Sequence, residues 1–170
     1  MMDLHADIVP GASAAGFSLG DDFHAVVAAI GAFRRWQPGQ GHLAAQLATN
    51  PGWLYVAPAR DGQAAKHGAS LYFRNNCIRL GFNADTKRIC RIEVGAGYQG
   101  RLWGEVGVGD TLASAMRHTE LHYDSGEELY YPQRPGCGGV AFYGLEAGAG
   151  TMPNVEIQFI VVDGAALERD

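Results

Sequence analysis

Two histidines flank a glutamate in the segment His118-Thr119-Glu120-Leu121-His122. On a helix, a four-residue spacing would place both imidazoles on one face, where they could hold a zinc ion. The pattern differs from the H-E-x-x-H motif, because the glutamate follows the first histidine by two residues. A strand is also predicted to start at Leu121 and would separate the two rings. We therefore interpret His118 and His122 as surface histidines and expect no metal.

A second candidate for chemistry is Cys137, within the run Pro135-Gly136-Cys137-Gly138-Gly139. Such a loop could expose a thiol nucleophile, and His118 or His122 could activate it. Nothing in the local sequence fixes that geometry. A glycine-rich turn that contains an incidental small residue is the better interpretation.

Two glycine clusters, 95–97 and 104–109, resemble loops that cradle phosphate. The second cluster ends in Gly109-Asp110 before a predicted helix, and no lysine follows as a P-loop requires. An aspartate at the helix start would repel a phosphate. We interpret these residues as turn glycines and predict no cofactor.

Acidic and aromatic residues meet around the predicted turn Asp124-Ser125-Gly126. Carboxylates attract a basic partner over distance, and tyrosine supplies contact area at interfaces. The alternative is a solvated hairpin tip. The candidate partner-binding residues are Asp124, Glu127, Glu128, Tyr130 and Tyr131.

The negative net charge bears on which class of macromolecule the protein can bind. The chain has 170 residues, of which 18% are charged, with 13 basic residues and a net charge of −5. Nucleic-acid phosphate favours clustered lysine and arginine, so this acidic chain is a poor candidate for binding it. A basic protein suits it better.

Cysteine usage and the N-terminus indicate the compartment. Three cysteines without C-x-x-C spacing argue against a disulfide framework or a zinc ribbon, and favour buried free thiols in a reducing compartment. The first residues carry acids where a signal peptide needs positive charge. No stretch approaches the roughly 20 apolar residues of a membrane span. We expect a cytoplasmic protein that has no membrane partner.

An internal repeat is predicted from two stretches, Phe17–Phe23 and Val106–Leu112. Both read apolar, small, apolar, Gly, Asp, polar, apolar, and both lead into a short amphipathic segment with helical spacing. In each copy a polar residue can cap the helix. Two unrelated helix starts are the alternative interpretation.

The order of predicted elements extends this repeat. Helices are predicted at 22–30, 42–49 and 111–118, and alternating apolar residues predict strands after them. The predicted fold is α+β, with two tandem repeats of a helix and an antiparallel β-meander that form one compact unit. The halves are residues 1–98 and 99–170, joined edge to edge or packed face to face. The predicted strands are 53–56, 70–73, 78–82, 90–94, 121–123, 129–131, 140–143 and 155–162.

This order of elements resembles the group of the β-lactamase inhibitor protein and the outer-membrane-assembly lipoproteins (SmpA/BamE-like). The segment from Ile8-Val9-Pro10-Gly11 to Gly16-Phe17-Ser18-Leu19-Gly20-Asp21 also resembles the openings of small bacterial toxin-immunity proteins. The resemblance implies a module whose sheet or loops grip another protein, and it implies no individual functional residue. The lipid-bearing cysteine of the lipoproteins is missing here.

These observations predict a non-enzymatic, protein-binding protein. The leading hypothesis is a bacterial immunity protein that covers the active site of a secreted toxin, its partner being a cognate toxin with a basic cleft. One alternative is a small enzyme or ligand-binding domain that uses the cleft between the halves, with Cys137, His118 and His122 as its actors. A second alternative is an envelope-assembly factor.

Overall fold

One nine-stranded β-sheet dominates the protein, whose computed structural model describes residues 1–37, 39, 41–58, 68–145 and 152–164. Three short helices and a two-stranded ribbon accompany the sheet in this part of the chain, so the predicted α+β class is confirmed. In chain order the elements are β1 (Ser13–Ala14), β2 (Phe17–Ser18), α1 (Phe23–Ile30), β3 (Phe33–Trp36), α2 (Leu43–Thr49), β4 (Trp53–Val56), β5 (Ser70–Phe73), β6 (Ile78–Phe82), β7 (Ile89–Val94), α3 (Leu112–Met116), β8 (Leu121–Asp124), β9 (Leu129–Pro132), β10 (Val140–Tyr143) and β11 (Phe159–Asp163).

The strand order of the sheet is β3-β4-β5-β6-β7-β11-β10-β9-β8. Strands β4 to β7 form one antiparallel meander and β8 to β11 form another, while β3 pairs with β4 in parallel. The last strands of the two meanders pair at the centre, with Val94 opposite Ile160 and Ile92 opposite Val162. Of the two predicted arrangements, the structure has the edge-to-edge one.

The two glycine-aspartate turns make equivalent backbone hydrogen bonds. Gly20 N donates to Ile89 O and Gly109 N donates to Ile157 O, each at 2.8 Å. The φ angles of the two glycines are +88° and +89°, a left-handed conformation that favours glycine. Each turn is therefore attached to the segment that leads into or forms a central strand.

The two aspartates also act alike. Asp21 Oδ2 accepts from Ser18 N at 2.9 Å, and Asp110 Oδ2 accepts from Gly107 N at 2.8 Å. The capping residues differ, because Asp22 accepts from two amides of α1 whereas Thr111 makes no side-chain cap bond to α3. Matching turns do not establish that the halves superimpose, so the tandem repeat stays a prediction.

The matched glycines allow a paired test. An alanine Cβ at Gly20 or Gly109 would have no other heavy atom within 4 Å, so the expected cost comes from the positive φ alone. Each Gly→Ala change should lower the free energy of unfolding by about 1–2 kcal/mol. Urea unfolding measures this, with Gly52→Ala as the control, because Gly52 has equal space and no positive φ. A cost at only one of the two positions would contradict the equivalence.

The main core covers one face of the sheet and draws on both meanders. Val26 of α1 and Leu112 and Ala115 of α3 enter this core, together with strand residues that alternate along β6 and β7. A smaller cluster lies apart from it, because alternate residues of a strand point to opposite faces. That second cluster consists of Leu129, Tyr131, Ala141 and Val161, with Tyr143 packed against it.

Several details differ from the predictions. Strand β3 and the β1–β2 ribbon were not predicted, and α3 is shorter than the expected 111–118. The predicted strand 155–162 forms sheet pairs only from Phe159 on. The cysteines are free thiols, but only Cys77 is buried, while Cys90 is exposed and Cys137 partly exposed. The described helices include none with the length and apolar character that crossing a bilayer requires.

Candidate functional site

The hairpin of β8 and β9 carries the acidic residues at one edge of the sheet. Asp124 shapes its tip, because its Oδ1 accepts from Gly126 N at 2.8 Å and from Glu127 N at 3.2 Å. Glu127 and Glu128 are exposed, and Glu128 has a φ of +57°. The side chain of Asp124 thus fixes the backbone of the turn from which the Glu127 and Glu128 carboxylates project.

The two predicted contact tyrosines lie inside the protein. Tyr130 has no exposed surface and its ring centroid is 4.9 Å from that of Tyr123. Tyr131 is 8% exposed, lies in the second cluster, and donates its hydroxyl to the Glu127 carboxylate. Both faces of β9 are covered, so the prediction that Tyr130 supplies contact area is wrong. Tyr131 instead holds the Glu127 carboxylate in place by this hydrogen bond.

Tyr123 of β8 is the aromatic residue that the prediction missed. It is partly exposed and pairs across the hairpin with Tyr130. Partial burial, followed by the negative charge of Glu128, raises the pKa of Tyr123. A tyrosine phenol is protonated at neutral pH even at its ordinary pKa, so Tyr123 can donate a hydrogen bond. We define the acidic hairpin as Tyr123, Asp124, Glu127 and Glu128.

The histidine and cysteine candidates do not form a site in the described residues. Helix α3 ends at Met116, so His118 lies in the following turn, while His122 is exposed on β8. The predicted separation of the two histidines by a strand is thus confirmed. Nowhere in the described ranges do three His, Cys, Asp or Glu side chains gather as metal ligands would. Cys137 is partly exposed in a turn closed by its amide and Arg134 O.

His118 does have a defined neighbourhood. Its Nε2 is 3.3 Å from Glu105 Oε2, but the geometry is not that of a hydrogen bond. The ring lies 5.1 Å from that of Trp103, and Glu105 also pairs with Arg117 at 3.4 Å. This cluster fastens the turn after α3 to the segment before it. The contacts of His118 with Glu105 and Trp103 include neither His122 nor Cys137.

A second charged cluster lies on β6 and β7. Glu93 Oε1 accepts from Arg91 Nε at 2.8 Å and from Arg79 Nη1 at 3.2 Å. The Arg79 guanidinium also lies 5.3 Å from the centre of the Tyr72 ring. Cys90 is beside this cluster, at a register shift in the β6–β7 ladder, and partial burial raises the pKa of its thiol. Because Glu93 holds one arginine from each of the two strands, we assign the cluster a structural role.

No family model, curated protein or solved structure matches the chain. Among the residue clusters described above, the acidic hairpin combines exposure, like charge and a fixed backbone.

Proposed function

We propose that the protein is a cytoplasmic, non-enzymatic binding protein that inhibits a secreted bacterial toxin, as an immunity protein does. The observation that carries the proposal is the acidic hairpin, whose exposed carboxylates project from a turn that Asp124 holds. The net charge of the whole chain, −5, is negative like that of the hairpin. Charge of this kind steers a basic partner toward the surface and raises the association rate.

The proposed mechanism is steric and electrostatic. The hairpin belongs to β8 at the edge of the sheet, so a partner can approach it without displacing another described strand. Because the turn is already ordered, little conformational entropy is lost when the carboxylates meet a basic cleft. The neutral phenol of Tyr123 can add a hydrogen bond at the margin. The bound hairpin would then occlude the catalytic groups of the toxin.

The test uses the product of the neighbouring gene as the candidate toxin. We expect a one-to-one complex whose Kd rises at least about tenfold in the triple variant Asp124→Asn, Glu127→Gln, Glu128→Gln. These amides keep the acceptor oxygens of the turn, so only charge is removed. Titration calorimetry at fixed ionic strength measures the change.

A charge-matched control separates local charge from net charge. The variant Asp85→Asn, Glu105→Gln, Glu156→Gln removes three exposed carboxylates elsewhere. It should leave the Kd within about twofold, because these carboxylates are not part of the acidic hairpin and salt screens exposed charges that do not contact the partner. Equal losses in both variants would contradict the assigned surface. If cells that carry the neighbouring toxin survive equally well without this protein, the function itself is wrong.

A further inference from the structure

A cavity of about 250 Å³ opens between the start of α1, β4, the end of β6 and the turn that follows it. It exceeds the 150 Å³ of an engineered apolar cavity that accepts benzene. Three of its lining residues are aromatic, and the lining also includes His24 and Lys87. The residues that matter are Phe23, Tyr55, Phe82, Ala69, His24 and Lys87.

The aromatic walls are built before any ligand arrives. Phe23 meets Phe82 edge to face at 5.1 Å between centroids, and it meets Tyr55 at 5.8 Å. Phe82 is buried, whereas Phe23 and Tyr55 are half-buried and reach the cavity. Phe23 is anchored because its amide donates to Lys87 O at 3.0 Å. Such walls suit a flat apolar group, since ring pairs favour offset and edge-to-face geometry.

The polar side of the cavity favours an anion. Lys87 is exposed there, and within the described residues its Nζ donates to a backbone carbonyl, that of Ala84, and forms no ion pair. Arg35 adds positive charge nearby, with its guanidinium 5.1 Å from the centre of the Tyr55 ring. A cationic ligand would be repelled by both positive charges.

The amides at the start of α1 are already hydrogen-bonded, so Lys87 is the group that would bind an anion. Asp22 Oδ1 accepts from His24 N and Ala25 N, at 2.9 and 3.3 Å, so these first-turn donors are already used. Lys87 itself has a φ of +56°, a conformation in which glycine or asparagine would be cheaper. The lysine side chain is therefore carried by a strained backbone position beside the cavity.

We propose that this cavity binds a small aromatic carboxylate, with the ring among Phe23, Tyr55 and Phe82 and the carboxylate on Lys87 Nζ. The cavity adjoins β4 and β6, and the acidic hairpin lies at the far edge of the same sheet. The two sites are therefore independent. Failure of one proposal leaves the other standing.

The experiment titrates the full chain with phenylacetate and, separately, with its neutral analogue phenylacetamide, by NMR of labelled backbone amides. We expect saturable shifts around Phe23, Tyr55 and Phe82, with a Kd for phenylacetate of about 1 mM or tighter. Phenylacetamide should bind about tenfold more weakly, because it lacks the charge that Lys87 meets.

Two variants assign the contributions of charge and shape. Lys87→Gln should weaken phenylacetate about tenfold and leave phenylacetamide unchanged. Ala69→Leu should fill the cavity and weaken both ligands. The control is the hairpin triple variant, which should bind phenylacetate as the wild type does. Equal affinities for the two ligands, shifts elsewhere, or no saturation by about 10 mM would overturn the proposal.

A third variant separates the ligand role of the lysine from any structural one. Lys87→Gly should raise the melting temperature by about 2–4 °C, because glycine accepts the positive φ. It should also weaken phenylacetate as Lys87→Gln does. A glycine variant with wild-type affinity would show that the lysine is not the recognition group.

Discussion

Replacing Gly100 by alanine is expected to lower the free energy of unfolding by about 3 kcal/mol. The new Cβ would overlap the Ala6 carbonyl oxygen and lie 2.7 Å from both Cε1 and the hydroxyl oxygen of Tyr98. Neither neighbour can retreat easily. Gly100 N donates to Leu4 O, and the Tyr98 hydroxyl donates to Ala6 O while it accepts from Ala15 N. The substitution should therefore detach the first residues from the segment that links the meanders.

Urea unfolding followed by circular dichroism measures this effect. Gly52→Ala is the control, because its Cβ would meet no heavy atom within 4 Å and its φ is not positive. We expect that control to stay within about 0.5 kcal/mol of the wild type. A Gly100→Ala protein of nearly wild-type stability would mean that residues 4–6 do not pack against residues 98–101.

Glu93→Ala should be the next most damaging change and should lower the free energy of unfolding by about 2 kcal/mol. The Glu93 side chain is 11% exposed and receives Arg91 at 2.8 Å and Arg79 at 3.2 Å. Removing a buried carboxylate leaves its cations without compensation, at a cost of several kcal/mol when all partners are buried. Here the arginine side chains are 33% and 32% exposed, so water screens part of the loss and we expect less.

Glu105→Ala provides the matched comparison. Glu105 pairs with Arg117 at 3.4 Å, but the two side chains are 57% and 65% exposed. Thermal and urea unfolding should show a change below about 0.5 kcal/mol, as for other exposed pairs. Similar losses for Glu93→Ala and Glu105→Ala would contradict the structural role assigned to the Glu93 cluster.

Local sequence patterns predicted most of the sheet. In β6 the residues Ile78, Leu80 and Phe82 alternate with polar or small ones, and all three are buried as the alternation requires. Glycine, asparagine and aspartate predicted the positions of the turns. In the structure their side-chain hydrogen bonds and positive φ angles shape those turns. Burial on both faces near the end of the last strand was also predicted, and Ile160, Val161 and Val162 are buried.

The misses have a common physical cause, which is that they depend on distant partners. Strand β3 has two arginines at its centre, and it pairs in parallel with β4 only after the chain has passed through α2. Nothing local distinguishes it from a loop. The residues Val155 and Ile157 alternate as a strand would, yet they hydrogen-bond to the turn at Gly109 and to Leu112 instead of a sheet neighbour.

The candidate site was predicted in part for the same reason. The carboxylates at the tip follow from the turn signal and are exposed or partly exposed where expected. The burial of Tyr130 and Tyr131 depends on side chains that come later in the chain, since Phe142 joins Tyr130 in the main core, and Ala141 and Val161 join Tyr131 in the second cluster. Tyr123 is identified as a site residue by its pairing with Tyr130 across the hairpin, and this pairing cannot be read from the local sequence.

The central pairing of β7 with β11 orders events during synthesis. Roughly 65 residues separate the end of β7 from the start of β11, so at about 5–20 residues per second the wait lasts about 3–13 s. Throughout that interval β7 is an unpaired edge strand, and its free amides and carbonyls can pair with a strand of another polypeptide. A ribosome-bound chaperone, or rapid arrival of the second meander, would protect the growing polypeptide from mispairing at the seam.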